Sequence, residues 1–315
     1  MWTIFRKELA DHFGSTRFVI ILCLISMVAL VTAYMVGASL REQLAGRAVP
    51  TFVFLMLFTA SGGLFSLAQF IAFFGPLIGL VLGFDAINRE RNSGTLAKLL
   101  SQPIYRDAVI IGKFLAGAVT VAIMLTAIVL LITGLGLVVL GVVPGAEELA
   151  RLALYLVVSI FYVSFWLGIS ILFSIWFRST ASSALASLAL WIFFGFFIAF
   201  GASLIAGAVA PIDNPNDPHQ VVYNAKVTKA VSLVSPVVLY GDATAAILDP
   251  FRKTTSKLVL MGRLEKISMD RFQSPLPLDQ SILVVVPYLT SLLALTFVCF
   301  GVSYLIFMRQ EIRSA

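Results

Sequence analysis

The sequence contains little charge. Only 12% of its 315 residues are Asp, Glu, Lys or Arg, whereas 60% are hydrophobic, and the mean hydropathy is +1.00. A soluble globular domain carries roughly twice that share of charged residues, about 25%. The composition therefore argues against an ordinary soluble enzyme and predicts a protein embedded in a membrane.

Histidine and cysteine are scarce. The two histidines, His12 and His219, fall on opposite sides of the membrane in the topology derived below, so a His-based metal centre or a Ser-His-Asp triad is not expected. The two cysteines, Cys23 and Cys299, lie in apolar runs, where a free cysteine packs as a small hydrophobic residue. We predict no catalytic residue, no metal site and no cofactor in this chain.

A phosphate-binding P-loop is also missing. The motif G-x-x-x-x-G-K-[ST] needs Ser or Thr after its Lys, but Gly112-Lys113 is followed by Phe114 and has no matching glycine before it. The chain is therefore not expected to bind ATP through this motif. Any ATP-driven activity would need a separate protein.

What the sequence does contain is a series of long apolar runs. About 20 apolar residues cross a bilayer as a helix, because the backbone must satisfy its own hydrogen bonds there. The runs predict an all-α, polytopic membrane protein with six transmembrane helices, at residues 18–38, 64–84, 110–140, 152–177, 181–209 and 281–308. We expect no Asp, Glu, Lys, Arg or His within these spans, which argues against a proton-driven carrier. A further apolar stretch at 51–63 is interpreted as interfacial.

The basic residues indicate how the chain is oriented. They lie before the first span, between the second and third, between the fourth and fifth, and after the sixth: Arg6, Lys7, Arg17, Arg89, Arg91, Lys98, Arg106, Arg178, Arg309 and Arg313. Cytoplasmic loops are enriched in Lys and Arg, so we expect a multi-pass protein of the cell membrane with both termini in the cytoplasm. These residues are scattered rather than gathered into a stripe, so no nucleic-acid partner is expected.

The last connection, residues 211–280, is then a long extracytoplasmic loop. Apolar residues recur after Pro236 and stop near Pro250, which predicts an amphipathic helix packed over the outer ends of the spans. The Asp- and Asn-rich opening at 213–217 lacks the alternation and distal Glu of an EF-hand, so no calcium site is predicted.

Residues 1–17 are predicted to form a helix on the cytoplasmic membrane surface. Trp2, Phe5, Leu9 and Phe13 recur every three or four positions, a pattern typical of an amphipathic interfacial helix.

A second short cytoplasmic helix is predicted in the loop at residues 85–112. Ser93, Gly94 and Thr95 favour a helix start, the leucines at 96, 99 and 100 then share one edge, and Pro103 ends the run. So short a helix cannot bury its apolar edge alone. It must pack against a span, the lipid surface or a partner protein.

Two segments of the chain resemble the membrane-spanning subunits of type-2 ATP-binding-cassette (ABC) exporters, in particular the permeases associated with nitrous-oxide-reductase maturation. The first segment is Arg6-Lys7-Glu8-Leu9-Ala10-Asp11. The second runs from Pro76-Leu77-Ile78-Gly79 through Phe84-Asp85-Ala86-Ile87 to Gly94-Thr95-Leu96, Leu99-Leu100, Pro103 and Gly112-Lys113-Phe114. The order of these segments and the six-span plan extend the resemblance over most of the chain.

The resemblance implies a single permease domain, residues 1–315, that works with a separate cytoplasmic ATPase holding ATP and magnesium. It also implies pairing with a second permease copy, and it leaves room for an extracytoplasmic partner protein. Residues 1–17 would form a connecting helix and residues 95–101 a coupling helix, both touching the ATPase. The residues implied for this contact are Arg6, Lys7, Glu8, Asp11, Arg89, Glu90, Arg91, Gly94, Thr95, Leu96, Leu99, Leu100 and Pro103.

Two other classes of function stay open. An autonomous secondary carrier or channel would transport without ATP. A membrane scaffold would use the loop at 211–280 to recruit an extracytoplasmic partner and the spans only as an anchor.

Overall fold

The computed structural model describes residues 1–44, 51–59, 66–102, 104–214, 217–251 and 275–310, and every regular element in these ranges is helical. The helices are α1 Trp2–Gly14, α2 Thr16–Leu44, α3 Val53–Thr59, α4 Leu67–Gly83, α5 Asn88–Asn92, α6 Thr95–Leu100, α7 Arg106–Leu140, α8 Ala146–Trp176, α9 Thr180–Ile192, α10 Ile198–Val209, α11 Pro218–Ser232, α12 Pro236–Leu248 and α13 Leu278–Arg309. A π-helical turn, Phe193–Phe197, joins α9 to α10.

Six helical segments within the described ranges are long and apolar enough to cross a membrane. They are α2, Leu67–Asn92, α7, α8, Thr180–Val209 and α13. The prediction of an all-α protein with six spans is therefore confirmed. Several helices extend beyond the predicted apolar limits, because a helix can continue into the polar interface. Helix α8 begins six residues before the predicted span, where Glu147 and Glu148 occupy its first turn and complement the helix dipole.

Helix α8 lies at the centre of the bundle and packs closely on α4. A Cβ atom placed at Gly79 would lie 2.6 Å from the carbonyl oxygen of Val163 and 2.7 Å from the amide nitrogen of Leu167. Gly75 and Gly83 meet α8 on the same face of α4. Small residues at this spacing let two membrane helices approach at backbone distance. These glycines therefore serve packing, and α4 continues through Pro76 without a break in the helix.

The apolar stretch interpreted as interfacial contains α3, which is too short to cross the membrane. Its side chains are buried inside the protein: Phe54, Leu57 and Phe58 are 0% exposed. Gly136 of α7 leaves the space for this contact, because a Cβ there would lie 2.4 Å from Leu57 Cδ1. Helix α3 is thus part of the core, and the interfacial interpretation does not hold for these residues.

The segment predicted as an extracytoplasmic loop contains two helices joined by a bend of 112°. Each begins with a proline in its first turn, Pro218 in α11 and Pro236 in α12, where the missing amide proton costs nothing. The helix predicted after Pro236 is confirmed, and it ends at Leu248.

The position of α12 differs from the prediction. At its start, Ser235 Oγ donates to the carbonyl oxygen of Phe194, 2.8 Å away, near the middle of the fifth span. The ring of Tyr240 stacks on Tyr162 of α8 at 4.2 Å, and its hydroxyl lies 2.7 Å from Ser159 Oγ. Both α8 residues are near the middle of that span. Helix α12 therefore enters the bundle beside α4, α8 and α13 rather than covering its outer end.

Helices α11 and α12 bring charge towards the middle of the membrane. Lys229 of α11 forms an ion pair with Asp242 of α12, and its ammonium lies 6.0 Å from the centroid of the Tyr288 ring of α13. The bend at Ser235 lies near the middle of the fifth span, where Ser235 bonds to Phe194. Lys229 and Asp242 are six and seven residues from this bend, so each lies roughly 10 Å from it along its helix at 1.5 Å per residue. Two charged residues therefore lie within the bundle although they are outside the six predicted spans. The argument against a proton-driven carrier relied on the absence of such residues, and it loses that support.

Candidate functional site

At one end of the bundle, α1, α5 and α7 meet in an ion cluster formed by Lys7, Glu8, Glu90 and Lys113. Lys113 Nζ lies 2.9 Å from Glu8 Oε1 and 3.0 Å from Glu90 Oε1. Lys7 Nζ lies 3.0 Å from the same oxygen of Glu8 and 3.3 Å from that of Glu90. We call this set the inner ion cluster. It connects the N-terminal helix, the predicted coupling loop and the third span directly.

Lys113 corrects a prediction about the spans. It lies inside the third predicted span, 110–140, which was expected to hold no Asp, Glu, Lys, Arg or His. Its side chain is only 4% exposed, so its charge depends on the two carboxylates for compensation. The signal available in the sequence was a single Lys at the start of an apolar run, with no indication of which acidic residues would reach it.

The packing of α1 on α7 explains why these residues meet. Ile4 and Glu8 are four positions apart and form the buried face of α1. Gly112 lets this face approach, since a Cβ there would lie 3.0 Å from Ile4 Cγ2. Contact at Gly112 then sets Glu8 beside the next residue, Lys113. The predicted apolar edge of α1 points elsewhere, with Trp2 63% exposed.

Ionic compensation keeps the cluster charged. Burial alone would raise the pKa of Glu8, but the charges and hydrogen bonds of Lys113 and Lys7 outweigh it and lower the pKa. Burial alone would lower the pKa of Lys7, but Glu8, Glu90 and Asp11 outweigh it and raise the pKa. Both shifts favour the charged forms of Glu8 and Lys7 around neutral pH. His12, next to the cluster, has a lowered pKa mainly because of burial.

A second ionic contact joins the start of α2 to the end of α4. Arg17 Nη1 lies 2.6 Å from Asp85 Oδ2, and Arg89 lies at 4.0 Å from the same oxygen. The guanidinium of Arg17 also lies 5.5 Å from the centroid of the Phe84 ring. The sequence analysis named Arg17 among the basic residues that indicate orientation and Asp85 within a segment that carries the family resemblance, but it did not predict their pairing.

Helix α6 presents polar residues outward and leucine inward. Leu96 is 0% exposed, and Leu99 packs partly buried against the core. The exposed residues are Ser93, Gly94, Thr95, Lys98 and Ser101, which we call the α6 outer face. The prediction that Leu96 itself contacts a partner is corrected, because its side chain is used inside the chain. The side chain of Leu100 and the whole of Pro103 lie outside the described residues.

Gly94 sets the geometry between α5 and α6. Its φ of 70° lies in the left-handed region that glycine adopts without strain. The hydroxyl of Thr95 donates to the carbonyl oxygen of Glu90 over 3.2 Å and bonds to the hydroxyl of Ser93. These contacts attach α6 to the residue that carries one carboxylate of the inner ion cluster.

The other predicted contact residues divide into exposed and internal ones. Arg6 and Asp11 are exposed on α1, with Arg6 over the ring of Trp2 at 6.0 Å. Arg91 instead donates to the carbonyl oxygen of Ile175 over 3.4 Å and to the side chain of Gln310. Arg91 thus ties the loop to the ends of α8 and α13 and serves inside the bundle.

Ser174 of α8 was missed by the sequence analysis. Its Oγ accepts hydrogen bonds from the amide nitrogens of Ile87 and Asn88, at 2.9 and 3.2 Å. A serine in an apolar span carries no distinctive signal, because most such hydroxyls bond within their own helix. Here it fixes the chain between α4 and α5 to the central helix.

Among the described residues, no group of three or more His, Cys, Asp or Glu side chains could hold a metal ion. The arrangement instead joins helices α1, α2, α5, α6, α7 and α8 through charge and hydrogen bonds at one end of the bundle. Such a rigid connection suits the transmission of a movement rather than bond chemistry.

Comparison with known proteins gives the family context. The family model described as "ABC-2 family transporter protein" matches residues 2–312. A protein of Pseudomonas aeruginosa, "Probable ABC transporter permease protein NosY", is 31% identical over 209 residues, which cover 65% of this chain and 70% of that protein. A protein of the same name from Stutzerimonas stutzeri is 28% identical over 210 residues, with the same shares of coverage.

Proposed function

Because the chain belongs to the ABC-2 family of transporter proteins, as a multi-pass membrane permease subunit, we propose that it exports a substrate using ATP hydrolysed by a separate cytoplasmic ATPase. The chain would hold no nucleotide. ATP and magnesium would bind the partner, which contacts α1 and the α6 outer face.

The inner ion cluster is the observation that carries this proposal. A partner that moves α6 also moves Glu90, since Thr95 and Glu90 are joined by a hydrogen bond. Glu90 is paired to Lys113 at 3.0 Å, and Lys113 belongs to the third span. A rigid-body movement at α6 therefore reaches a membrane helix through two polar contacts, without a flexible segment between them.

The proposed orientation places α1, α6 and both ends of the chain in the cytoplasm. In support, Arg106 Nη1 at the start of α7 donates to the carbonyl oxygen of Gln310, just after α13, over 3.1 Å. The end of α13 and the start of α7 thus lie at the same end of the bundle, and α1 meets α7 there at Gly112. The positive-inside tendency then assigns this end to the cytoplasm.

A second permease copy is part of the proposal. The apolar faces of α2, α9–α10 and α13 remain largely exposed in the single chain. Lipid would cover part of this surface, and a second copy would cover another part, so that a path for substrate could form between two chains.

Affinity purification from the native membrane in mild detergent, followed by mass spectrometry, tests the proposal. We expect a P-loop ATPase to co-purify in stoichiometric amount. Its reproducible absence, from preparations that retain a known control complex, would contradict the proposal. Substrate transport by the purified chain without ATP would instead support the carrier class of function.

A further inference from the structure

A cleft opens at the same end of the bundle as the inner ion cluster. It encloses about 960 Å³ between α1, α2, α4, α6 and α8. Its mouth is charged, and its far end is formed by apolar side chains that include Ile21, Val81, Leu82 and Leu167. This volume is in the range of pockets that hold a small ligand, about 300–1,000 Å³.

Most of the accessible charge at the mouth is positive. The cationic side chains of Lys7, Arg17 and Arg89 are 50%, 57% and 74% exposed. The carboxylates that pair with them, Glu8, Asp85 and Glu90, are only 10%, 15% and 15% exposed. The carboxylates lie behind the cations, so a ligand in the mouth meets mainly the ammonium and guanidinium groups.

Two further residues complete the charge at the mouth. Lys98 is exposed on the α6 outer face and adds a cation. Asp11 is the exposed carboxylate, at 62%, and it lies 3.4 Å from Lys7 Nζ, which neutralises part of its charge. The mouth is therefore complementary to an anion.

The cleft is charged at its mouth and apolar further in, as one leaflet of a membrane is charged at its surface and apolar inside. Leu167 lies nine residues before the end of α8 at Trp176, which is roughly 14 Å at 1.5 Å per residue. Half of a hydrocarbon core of about 30 Å is about 15 Å. The charged mouth therefore lies at interface level, and the apolar end lies at the depth of acyl chains.

We propose that this cleft binds an anionic phospholipid from the leaflet next to α1. The headgroup phosphate would contact Arg89 and Lys98, and an acyl chain would lie against Ile21 and Val81, the partly exposed apolar walls. A soluble anion would satisfy only the mouth, and a neutral lipid only the apolar end. The mouth shares α1 and Lys98 with the proposed ATPase contact. The lipid itself needs only contacts within the single chain, so its binding is tested on permease purified without the ATPase.

Native mass spectrometry of the purified full-length protein tests the site. Phosphatidylglycerol and phosphatidylcholine of equal chain length are titrated into delipidated protein. We expect tighter binding of phosphatidylglycerol, and at least about tenfold weaker binding in R89E/K98E, since each cation near a membrane surface contributes roughly one tenfold step or somewhat less. The matched control is K226E, which reverses an exposed charge on α11. It should leave phosphatidylglycerol binding unchanged.

A second pair of variants tests the apolar end. V81W and I21W each place a large side chain in the apolar part of the cleft and should weaken phosphatidylglycerol binding. Glycerol phosphate, the soluble headgroup, should bind weakly to the parent and to every variant. Two variants are used so that one folding failure does not decide the result. Equal binding of phosphatidylcholine, equal loss in K226E, or binding of glycerol phosphate as tight as that of the lipid would each overturn the proposal.

Discussion

At the scale of single residues, Lys113 holds the most constrained position in the inner ion cluster. It is almost fully buried and supplies a charge to two carboxylates on different helices. Removing one partner of a buried ion pair leaves a charge without compensation, whereas removing all partners can be nearly neutral. The ammonium group of Lys113 therefore both stabilises the folded chain and connects α7 to α1 and α5.

The Lys113→Met variant should be destabilised by about 3 kcal/mol, because Glu8 and Glu90 would keep buried charges without their main partner. Thermal unfolding in detergent measures the change. Lys98→Met, at an exposed position, is the matched control and should unfold like the parent. The triple variant K113M/E8Q/E90Q should recover most of the loss; no recovery would argue that Lys113 acts through packing instead.

The stability of the protein should fall on acidification in two steps. The folded chain lowers the pKa of His12 from its ordinary 6.5, so the unfolded chain binds more protons below that pH and stability decreases. The lowered pKa of Glu8 also contributes to the free energy of unfolding. This contribution is fully present above the ordinary pKa of 4.5 and is lost as the pH falls through the lower pKa of the folded chain.

Thermal unfolding between pH 8 and about pH 3 checks this dependence, because the contribution of Glu8 is lost only below its ordinary pKa of 4.5. His12→Gln should remove the first step and keep the second, because Gln does not titrate. Identical curves for the parent and His12→Gln between pH 7 and pH 5 would contradict the assignment to His12.

At the scale of helices, the contact between α4 and α8 depends on backbone proximity. Gly79→Ala should destabilise the protein by about 1–3 kcal/mol, because its Cβ would lie 2.6 Å from a backbone oxygen that cannot rotate away. Gly207→Ala in α10 is the matched control, since no atom lies within 4 Å of a Cβ there. Thermal unfolding of both variants measures the difference, and equal melting temperatures would disprove the close contact.

Helix α6 has two faces with different expected effects. Lys98→Trp or Ser101→Trp, on the α6 outer face, should reduce ATPase co-purification at least about tenfold, a loss of roughly 1.4 kcal/mol of binding, with an unchanged melting temperature. Leu96→Asp should instead destabilise the permease itself, because it places a charge in the core. Lys226→Trp, exposed on α11, is the control for adding an aromatic ring. Full ATPase binding by both α6 outer-face variants would exclude this face as the contact.

At the scale of the whole molecule, the orientation in the membrane is directly testable. Single cysteines are introduced at Ser101 and Lys226, both exposed, in a background with Cys23 and Cys299 replaced. A membrane-impermeant thiol reagent should label the Lys226→Cys variant in intact cells and the Ser101→Cys variant only after lysis. Two spans separate α6 from the cytoplasmic N-terminus, and three further spans lie between α6 and α11. Labelling in the opposite order would reverse the proposed topology.

The helices themselves were largely predictable from the sequence. Apolar length predicted six spans, and proline with apolar spacing predicted α12 and the limits of α6. These features depend on residues close together in the chain. The burial of the Leu96 side chain and the hydrogen bond from Arg91 to Ile175 were not predictable, because both depend on residues that are distant in sequence.

The sequence by itself determined that the chain crosses a membrane, how often, and which segments are polar, since a bilayer selects long apolar helices from composition alone. Only the tertiary structure decided that Lys113 meets Glu8 and Glu90 and that α12 returns into the bundle. The physical reason is that burial permits a charge only where a partner is brought within about 4 Å, and packing of separate helices sets that distance.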